Sequence, residues 1–346
     1  MLAIPSRRAF LRAGAALAIP SILMPAMASP ADRRAAIVRR LADVLRENYQ
    51  DEATARRLAE AVLANLAKHA YDDAAMSDAA FAERLTQDLR AVFEDKHLVV
   101  SSGMAGKEAD ITVDPVFSLR QNYGVQEVRR LTGNVGLVEL NFSPSLKVGD
   151  AVAERYAAAM ALVRDTRALV IDLRRHFGGD PPTVAYFVSY FFDRPAFVVN
   201  RIRYRPAGIK DFSTTAAPRG TRYGEQRPLF VLTSQDTFSG GEEIAYDLQA
   251  TKRARIVGEV TGGGANPNLD FDLGDGFVAY VPNGAAVNPV TGTNWEGTGV
   301  QPDVKMPAAK ALEAAHRLAL QAALEQATND SDRQSIRDSL KELNGG

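Results

Sequence analysis

The stretch PLFVLTSQDTFSGGEEIAYDL, residues 228–248, joins a continuous apolar run to an amphipathic segment through one serine and two glycines. The apolar run predicts a buried strand and the amphipathic segment a helix, so Ser239 stands at a helix start. Serine caps helices well and Glu242 completes an S-x-x-E capping box, so a purely structural role explains this position. The position also suits a nucleophile, because the free backbone NH of Gly240 can reach an oxyanion that forms beside the hydroxyl.

A second pair of glycines follows another buried strand, in VIDLRRHFGGD, residues 170–180. Gly178 and Gly179 precede a predicted helix, where backbone NH groups are left without acceptors. We expect the two glycine loops to form one oxyanion hole, although a plain strand-to-helix turn is the simpler alternative. Asp172 and Arg174 are predicted to form an ion pair that supports this loop.

The order of predicted elements indicates an α/β fold, since strands alternate with helices along most of the chain. Three amphipathic segments between residues 32 and 95 predict an N-terminal unit of three helices. A further helix is predicted over 308–326, before a polar tail. The expected division is an N-terminal helical domain over 29–100, an α/β domain over 101–310 and a C-terminal helix with its tail over 311–346.

Composition excludes several classes of protein. The chain has 41 basic and 42 acidic side chains, so no bulk attraction to nucleic acid is expected. It has no cysteine, which excludes disulfides, thiolate catalysis and cysteine-ligated metal centres.

The N-terminus predicts export. The segment SRRAFLR, residues 6–12, precedes an apolar run that ends in the small-residue pattern AMA, which predicts a signal peptide over 1–28. Arg7 and Arg8, followed closely by Phe10, are typical of a twin-arginine signal. We therefore expect a periplasmic or secreted protein with no stable membrane anchor after signal cleavage.

A serine nucleophile needs a base, and the chain has four histidines, His69, His97, His176 and His316. His97 is the best candidate because it lies where the N-terminal helices meet the first strand of the α/β region. His176, beside the second glycine loop, is the alternative. Glu296 adjoins Trp295, the single tryptophan, and is the candidate carboxylate that orients the base. A solvent-facing glutamate on a turn is the simpler alternative.

Four segments together resemble the tail-specific protease family of serine peptidases, peptidase family S41, in the branch related to interphotoreceptor retinoid-binding protein. They are TFSGGEEIAYDLQATKRARIVGEVTGGGANP, VIDLRRHFGG, EDKHL and NPVTGTNWEGTGVQPDV. The resemblance covers about 97–314, and the three preceding helices resemble the N-terminal helical domain of that branch. It implies a crotonase-like (ClpP/crotonase) α/β core and hydrolysis of peptide bonds in a protein or peptide, with no metal or cofactor.

The resemblance also implies roles for individual residues. Those roles are the nucleophile for Ser239, the base and its carboxylate partner for His97 and Glu296, and the oxyanion hole for Gly240, Gly178 and Gly179. Many members carry a lysine base after a GExTxG segment, but Gly264 occupies that position here, which excludes a Ser/Lys dyad. Lys96 stands where the tricorn-like branch has a serine, so the resemblance does not specify how Glu296 contacts His97. The predicted helices leave no room for the PDZ domain that many members carry.

These patterns predict an exported serine-type peptidase that forms an acyl-enzyme on Ser239 with His97 as base. The alternative is a non-catalytic carrier that holds an apolar ligand, a retinoid or a lipid, in the same cleft. In that case the cleft would be lined by Phe177, Phe187, Phe238 and Trp295. The presence of both Ser239 and His97 favours the peptidase, because a carrier has no need of that pair.

Overall fold

The computed structural model describes residues 29–103, 111–194 and 196–345. The predicted signal peptide over 1–28 lies outside the described residues. Within them, no helix combines the length and the apolar character needed to cross a membrane.

Three helices form the N-terminal unit, as predicted: α1 (Pro30–Asn48), α2 (Glu52–Ala67) and α3 (Asp78–Val92). Each begins at a polar cap whose side chain accepts a backbone NH two or three residues on, and the caps are Ser29, Asp51 and Ser77. The apolar faces of the helices pack against a small antiparallel sheet of β1 (Val99–Ser102), β10 (Phe277–Pro282) and β9 (Asn268–Gly274). The helices therefore share one core with strands from the distant end of the chain.

A six-stranded sheet forms the centre of the molecule, in the order β12-β8-β7-β4-β3-β2. All neighbours are parallel except β2 and β3. The strands are β2 (Val125–Leu131), β3 (Val135–Leu140), β4 (Ala168–Asp172), β7 (Leu229–Thr233), β8 (Arg255–Gly258) and β12 (Val304–Lys305).

Helices cover both faces of this sheet, which explains why its central strands are continuously apolar. Leu169 and Ile171 of β4 face one core, together with α5 (Asp150–Val163), α6 (Pro181–Val188) and α7 (Gly240–Ala250). The alternate residues of β4 face the opposite core under α8 (Ala308–Gln326), against which α9 (Asp330–Gly345) packs. The expected α/β class with N-terminal helices is confirmed.

A third sheet, in the order β11-β5-β6, joins β5 (Val198–Tyr204) to β6 (Gly208–Ser213) and β11 (Gly284–Val287). The run AFVVNRIRY, residues 196–204, predicts β5, whereas the polar segment 206–227, in which β6 forms, predicts a loop. Five of the six residues of β6 are exposed, so no apolar alternation marks it as a strand. The short helix α4 (Pro115–Arg120) was also not predicted.

Candidate active site

The two glycine loops lie side by side because they follow adjacent parallel strands. β4 pairs with β7, with Asp172 opposite Leu232, and each strand ends at the same edge of the sheet. Two hydrogen bonds connect the loops: Phe238 donates its NH to His176 O (2.9 Å), and Thr237 donates its hydroxyl to Leu173 O (2.8 Å). This carboxyl edge is where parallel α/β sheets place their ligands.

Ser239 precedes α7 in a backbone conformation unlike that of an ordinary helix cap. Its φ of 52° and ψ of −116° lie outside the extended region that capping residues favour. Its backbone NH donates to Glu242 Oε2 (2.9 Å), so the carboxylate half of the predicted capping box is present. Strained conformations of this kind persist where surrounding contacts enforce them, and they concentrate at functional sites.

The Gly178–Gly179 segment lies directly against Ser239. A β-carbon placed on Gly178 would come within 3.3 Å of Ser239 Cβ, and Gly178 and Gly179 have φ values of 138° and 148°. Ser143 holds the segment, since its NH donates to Gly178 O (3.0 Å) and its carbonyl accepts the NH of Asp180 (2.8 Å). These bonds leave the Gly179 NH without an acceptor among the described residues. The NH of Gly240, the first residue of α7, has no intrahelical acceptor either.

His176 supports this loop from inside the protein. It is fully buried, its Nε2 lies 3.0 Å from Ser143 Oγ, and its Nδ1 accepts the NH of Gly178 (3.3 Å). Burial lowers its pKa to about 3, which keeps the ring neutral. The predicted ion pair beside the loop is confirmed, because Arg174 Nε donates to Asp172 Oδ1 at 2.9 Å.

His97 borders the same cavity as Ser239. Its ring packs on Phe238, the residue before the serine, with 4.7 Å between ring centroids. Burial, with a smaller contribution from the Arg90 charge, lowers the pKa of His97 to about 4. The ring is therefore neutral at physiological pH, and its buried Nδ1 has no hydrogen-bond partner among the described residues.

Glu296 lies beside His97 and not on an isolated turn. A carboxylate oxygen of Glu296, one of Asp95 and a ring nitrogen of His97 all lie within 4.8 Å of one another. Glu296 Oε2 accepts the NH groups of Ala265 (2.6 Å) and Asn266 (3.1 Å), while its buried Oε1 has no partner in the described part of the chain. Burial, with a smaller contribution from the charge of the neighbouring Asp95, raises its pKa to about 7.

Asp95 belongs to this cluster, and sequence reasoning missed it. Its Oδ1 accepts the backbone NH of His97 (3.0 Å), and its Oδ2 accepts the hydroxyl of Tyr49 (3.1 Å) and the amide of Asn266 (3.3 Å). Burial raises the pKa of Asp95. The signal in the sequence was an acid two residues before the candidate base, in EDKH. Asp95, His97 and Glu296 are also a group of suitable type and spacing to hold a metal ion.

The surroundings of Gly264, in the glycine-rich loop after β8, leave no space for a side chain. A β-carbon there would lie 2.3 Å from Phe238 Cζ and 2.8 Å from His97 Cε1. Lys96 is turned elsewhere, since its ammonium donates to Gly262 O (2.6 Å). The imidazole thus occupies the space beside the serine loop that a longer side chain at 264 would need.

Glu242 connects the serine loop to the glycine-rich loop that follows β8. Its Oε2 accepts the NH groups of Ser239 and Gly264 (2.8 Å), and its Oε1 accepts the NH of Gly263 (2.6 Å) and the hydroxyl of Thr261. The carboxylate is fully buried. It therefore fixes the position of Ser239 relative to the loop that contacts His97.

The cavity that contains Ser239 and His97 has a volume of about 510 Å³. Its aromatic lining consists of Phe142, Phe177, Phe238, Tyr280 and Trp295. The prediction that Phe187 lines it is wrong, because this side chain is fully buried in the core between α6 and the central sheet.

The other two histidines lie away from the cavity. His69 is exposed beside Asp72, and His316 on α8 contacts Thr132 O through Nε2 (2.8 Å).

Comparisons with known proteins match this architecture. The family model described as Peptidase family S41 matches residues 134–306, which is half of the chain. The model described as the N-terminal domain of Peptidase_S41 in eukaryotic IRBP matches residues 30–127. The chain is 29% identical over 143 residues to the chloroplastic carboxyl-terminal-processing peptidase 2 of Arabidopsis thaliana, a match that covers 41% of this chain and 27% of that protein. The chain thus spans about a quarter of the length of this curated relative.

Two solved structures share the fold. A protein from Parabacteroides merdae superposes with a TM-score of 0.61 at 18% identity, covering 88% of this chain and 100% of that one. The photosystem II D1 C-terminal processing protease superposes with a TM-score of 0.53 at 14% identity, covering 80% and 93% of the two chains.

Proposed function

The chain belongs to peptidase family S41, and we propose that it is an exported serine peptidase that hydrolyses peptide bonds through an acyl-enzyme on Ser239. The observation that carries this proposal is the convergence of Ser239, His97 and the Gly178–Gly179 segment on one cavity. A helix cap alone does not require an imidazole at the same cavity or a strained backbone at the serine.

In the proposed first step, His97 acts as the general base. With its pKa lowered to about 4, the neutral ring can take the hydroxyl proton of Ser239 as Oγ bonds to the substrate carbonyl carbon. The resulting imidazolium would be stabilised by the nearby carboxylates of Glu296 and Asp95. The imidazolium then returns the proton to the leaving amine, and water hydrolyses the acyl-enzyme in the second half-reaction.

The oxyanion would be held by backbone NH groups from both glycine loops. Gly179 and Gly240 supply NH donors that have no acceptor among the described residues, and Gly178 brings its backbone against Ser239 without a side chain in the way. Loss of one such donor typically costs about 3 kcal/mol of transition-state stabilisation. We assign these NH groups, with Gly178 as their spacer, to the oxyanion hole.

The export proposal rests on the N-terminal sequence alone, and the substrate proposal on the family. The Arabidopsis relative is named for carboxyl-terminal processing, and a protein or peptide substrate is proposed for this chain as well. When the twin-arginine translocation route is blocked in a host that expresses the chain, we expect the precursor to stay uncleaved. If the signal is still removed, with the general secretion route as the only route left, the export proposal is contradicted.

The direct test of the nucleophile uses Ser239→Ala, with Ser213→Ala as a matched control because Ser213 is exposed on β6, away from the cavity lining. Wild type and the control should react with a fluorophosphonate probe and cleave members of a peptide library. Ser239→Ala should do neither. Equal labelling of all three proteins would remove Ser239 as the nucleophile.

The carrier of an apolar ligand remains a second candidate, because three of the four aromatic side chains that this hypothesis placed in the cavity line it, namely Phe177, Phe238 and Trp295. Native mass spectrometry separates the two functions. A lipid or retinoid that co-purifies with the protein, together with no probe labelling of Ser239, would favour the carrier.

A further inference from the structure

Glu243 lies one helical turn beyond Ser239, on the side of α7 that faces the cavity. Its backbone NH donates to Ser239 O (2.9 Å), which places the two residues one above the other on α7. Both residues line the cavity, and Glu243 is only 4% exposed. A carboxyl group therefore lies at the inner end of the space in which Ser239 would meet a substrate.

Among the described residues, no basic side chain pairs with this carboxyl, and the Asn200 amide is its polar neighbour. Its buried Oε1 lacks a hydrogen-bond partner among the described residues. Burial raises the pKa of Glu243 to about 8, while the nearby Asn200 amide opposes the shift. Buried charges in proteins are normally paired. A buried carboxyl group without a charged partner is therefore suited to bind a cation that enters the cavity.

A second buried acid lies behind it, one further turn along the helix. Asp247 accepts the amide of Asn288 on Oδ1 (2.9 Å), but its Oδ2 has no partner in the described part of the chain. Burial raises its pKa well above the ordinary value, and Glu243 adds to the effect. In the part of the chain that the structure describes, no lysine or arginine acts on either acid.

The remaining lining makes the cavity acidic. Asp180 and Asp270 are also among its lining residues, and among the described lining residues there is no lysine or arginine. His97, which is neutral, is the basic group of the lining. Such a cavity attracts cations and repels a carboxylate.

We propose that Glu243 determines specificity by accepting the cationic side chain, lysine or arginine, of the substrate residue whose carbonyl carbon Ser239 attacks. The methylene stem of that side chain would pass along the apolar lining of Ile202, Ala265 and Trp295 while its charged end reaches the Glu243 carboxyl group. When the cation binds, the carboxyl gives its proton to solvent and forms a charge-assisted pair. This inference rests on the proposed peptidase function.

The alternative is that the two acids remain protonated and only shape the cavity. In that case the site would favour an amide or an uncharged side chain of equal length. These cases are separated by peptides that differ only at the residue before the scissile bond. That residue is lysine, arginine, norleucine, glutamine or glutamate. Norleucine has a straight alkyl chain like that of lysine and removes only the charge.

For wild type we expect kcat/KM to be at least about 30-fold higher for the lysine and arginine peptides than for the norleucine peptide. In Glu243→Gln this ratio should fall to about 3-fold or less, because the isosteric amide keeps the shape and loses the charge. Glu313→Gln, which alters an exposed carboxylate on α8, is the control and should keep the wild-type ratio. Fluorophosphonate labelling of Glu243→Gln would show that the site remains assembled.

Cleavage without a preference for cationic residues, or an unchanged ratio in Glu243→Gln, would overturn the specificity inference and leave the peptidase proposal standing. If no peptide is cleaved and Ser239 is not labelled, the peptidase proposal fails. The pocket is then tested by calorimetry on Ser239→Ala with the same peptides. At least about tenfold tighter binding of the lysine peptide than of the norleucine peptide supports the pocket, and equal binding rejects it.

Discussion

Gly264 faces the ring of His97 so closely that a β-carbon at 264 would lie 2.8 Å from His97 Cε1. The absence of a side chain at this position is what allows the imidazole to pack on Phe238, beside the serine loop. A side chain at 264 and the imidazole of His97 would therefore compete for one space.

This relationship predicts that Gly264→Ala inactivates the enzyme without unfolding it. The added methyl must displace His97 or Phe238, and a displacement of about 1 Å can cost on the order of a hundredfold in rate. We expect kcat/KM to fall by about that factor, measured with a fluorogenic peptide. Gly276→Ala is the control, because Gly276 has a φ of 81° but meets no atom within 4 Å. Its strain should lower stability by about 1 kcal/mol and leave kcat/KM unchanged.

Glu242→Gln should lower both stability and activity. An amide nitrogen cannot accept hydrogen bonds, so two of the four donors that now meet the carboxylate lose their acceptor. We expect a loss of about 3 kcal/mol in the free energy of unfolding, measured by urea titration, together with a lower kcat. The exposed Glu313→Gln should be neutral in both measurements. A normal kcat in Glu242→Gln would show that Ser239 is held in place by other contacts.

The pH dependence of activity should follow Glu296 and not His97. His97 is neutral above a pH of about 4, whereas the Glu296 carboxyl, with its pKa raised to about 7, ionises only near neutrality. Because the imidazolium needs a carboxylate beside it, kcat/KM for the norleucine peptide should rise with pH and level off above about 7. Glu296→Gln should lower the plateau by on the order of a hundredfold or more and remove the rise near neutrality. A rise centred near 4 in wild type would assign the titration to His97 instead.

Stability should decrease as pH rises from 6.5 to 8. Glu243 and Asp247 have pKa values raised by burial, so the folded state binds protons that the unfolded state has already released. The buried His97 and His176, whose pKa values are lowered, are neutral when folded but about half protonated when unfolded at pH 6.5, so they oppose this slope there and contribute little above a pH of about 7.5. The urea midpoint should therefore fall toward pH 8. In Glu243→Gln the urea midpoint should depend less on pH than in wild type. An equal pH slope in both proteins would show that Glu243 is not a cause of the decrease in stability.

Local sequence was sufficient to predict the main elements of the fold. The continuous apolar runs predicted β4 and β7 because strands covered on both faces carry no polar alternation. Local sequence was insufficient to predict β6. Most of its residues are exposed and show no apolar alternation, so its pairing with β5 is what defines it as a strand. Phe187 was misplaced for a similar reason, since an aromatic residue on a helix can face the core or a cavity with the same spacing.

The sequence by itself determined that a serine would stand at a helix start beside two glycines, and that no lysine would be available at 264. Those are local properties, set by neighbouring residues along the chain. Only the tertiary structure decided that Asp95 and Glu296, about two hundred residues apart in sequence, would meet at His97, and that Glu243 would line the cavity without a counter-ion. The physical reason is that the solvation and charge of a carboxyl depend on what packs around it, and most of those neighbours come from distant parts of the chain.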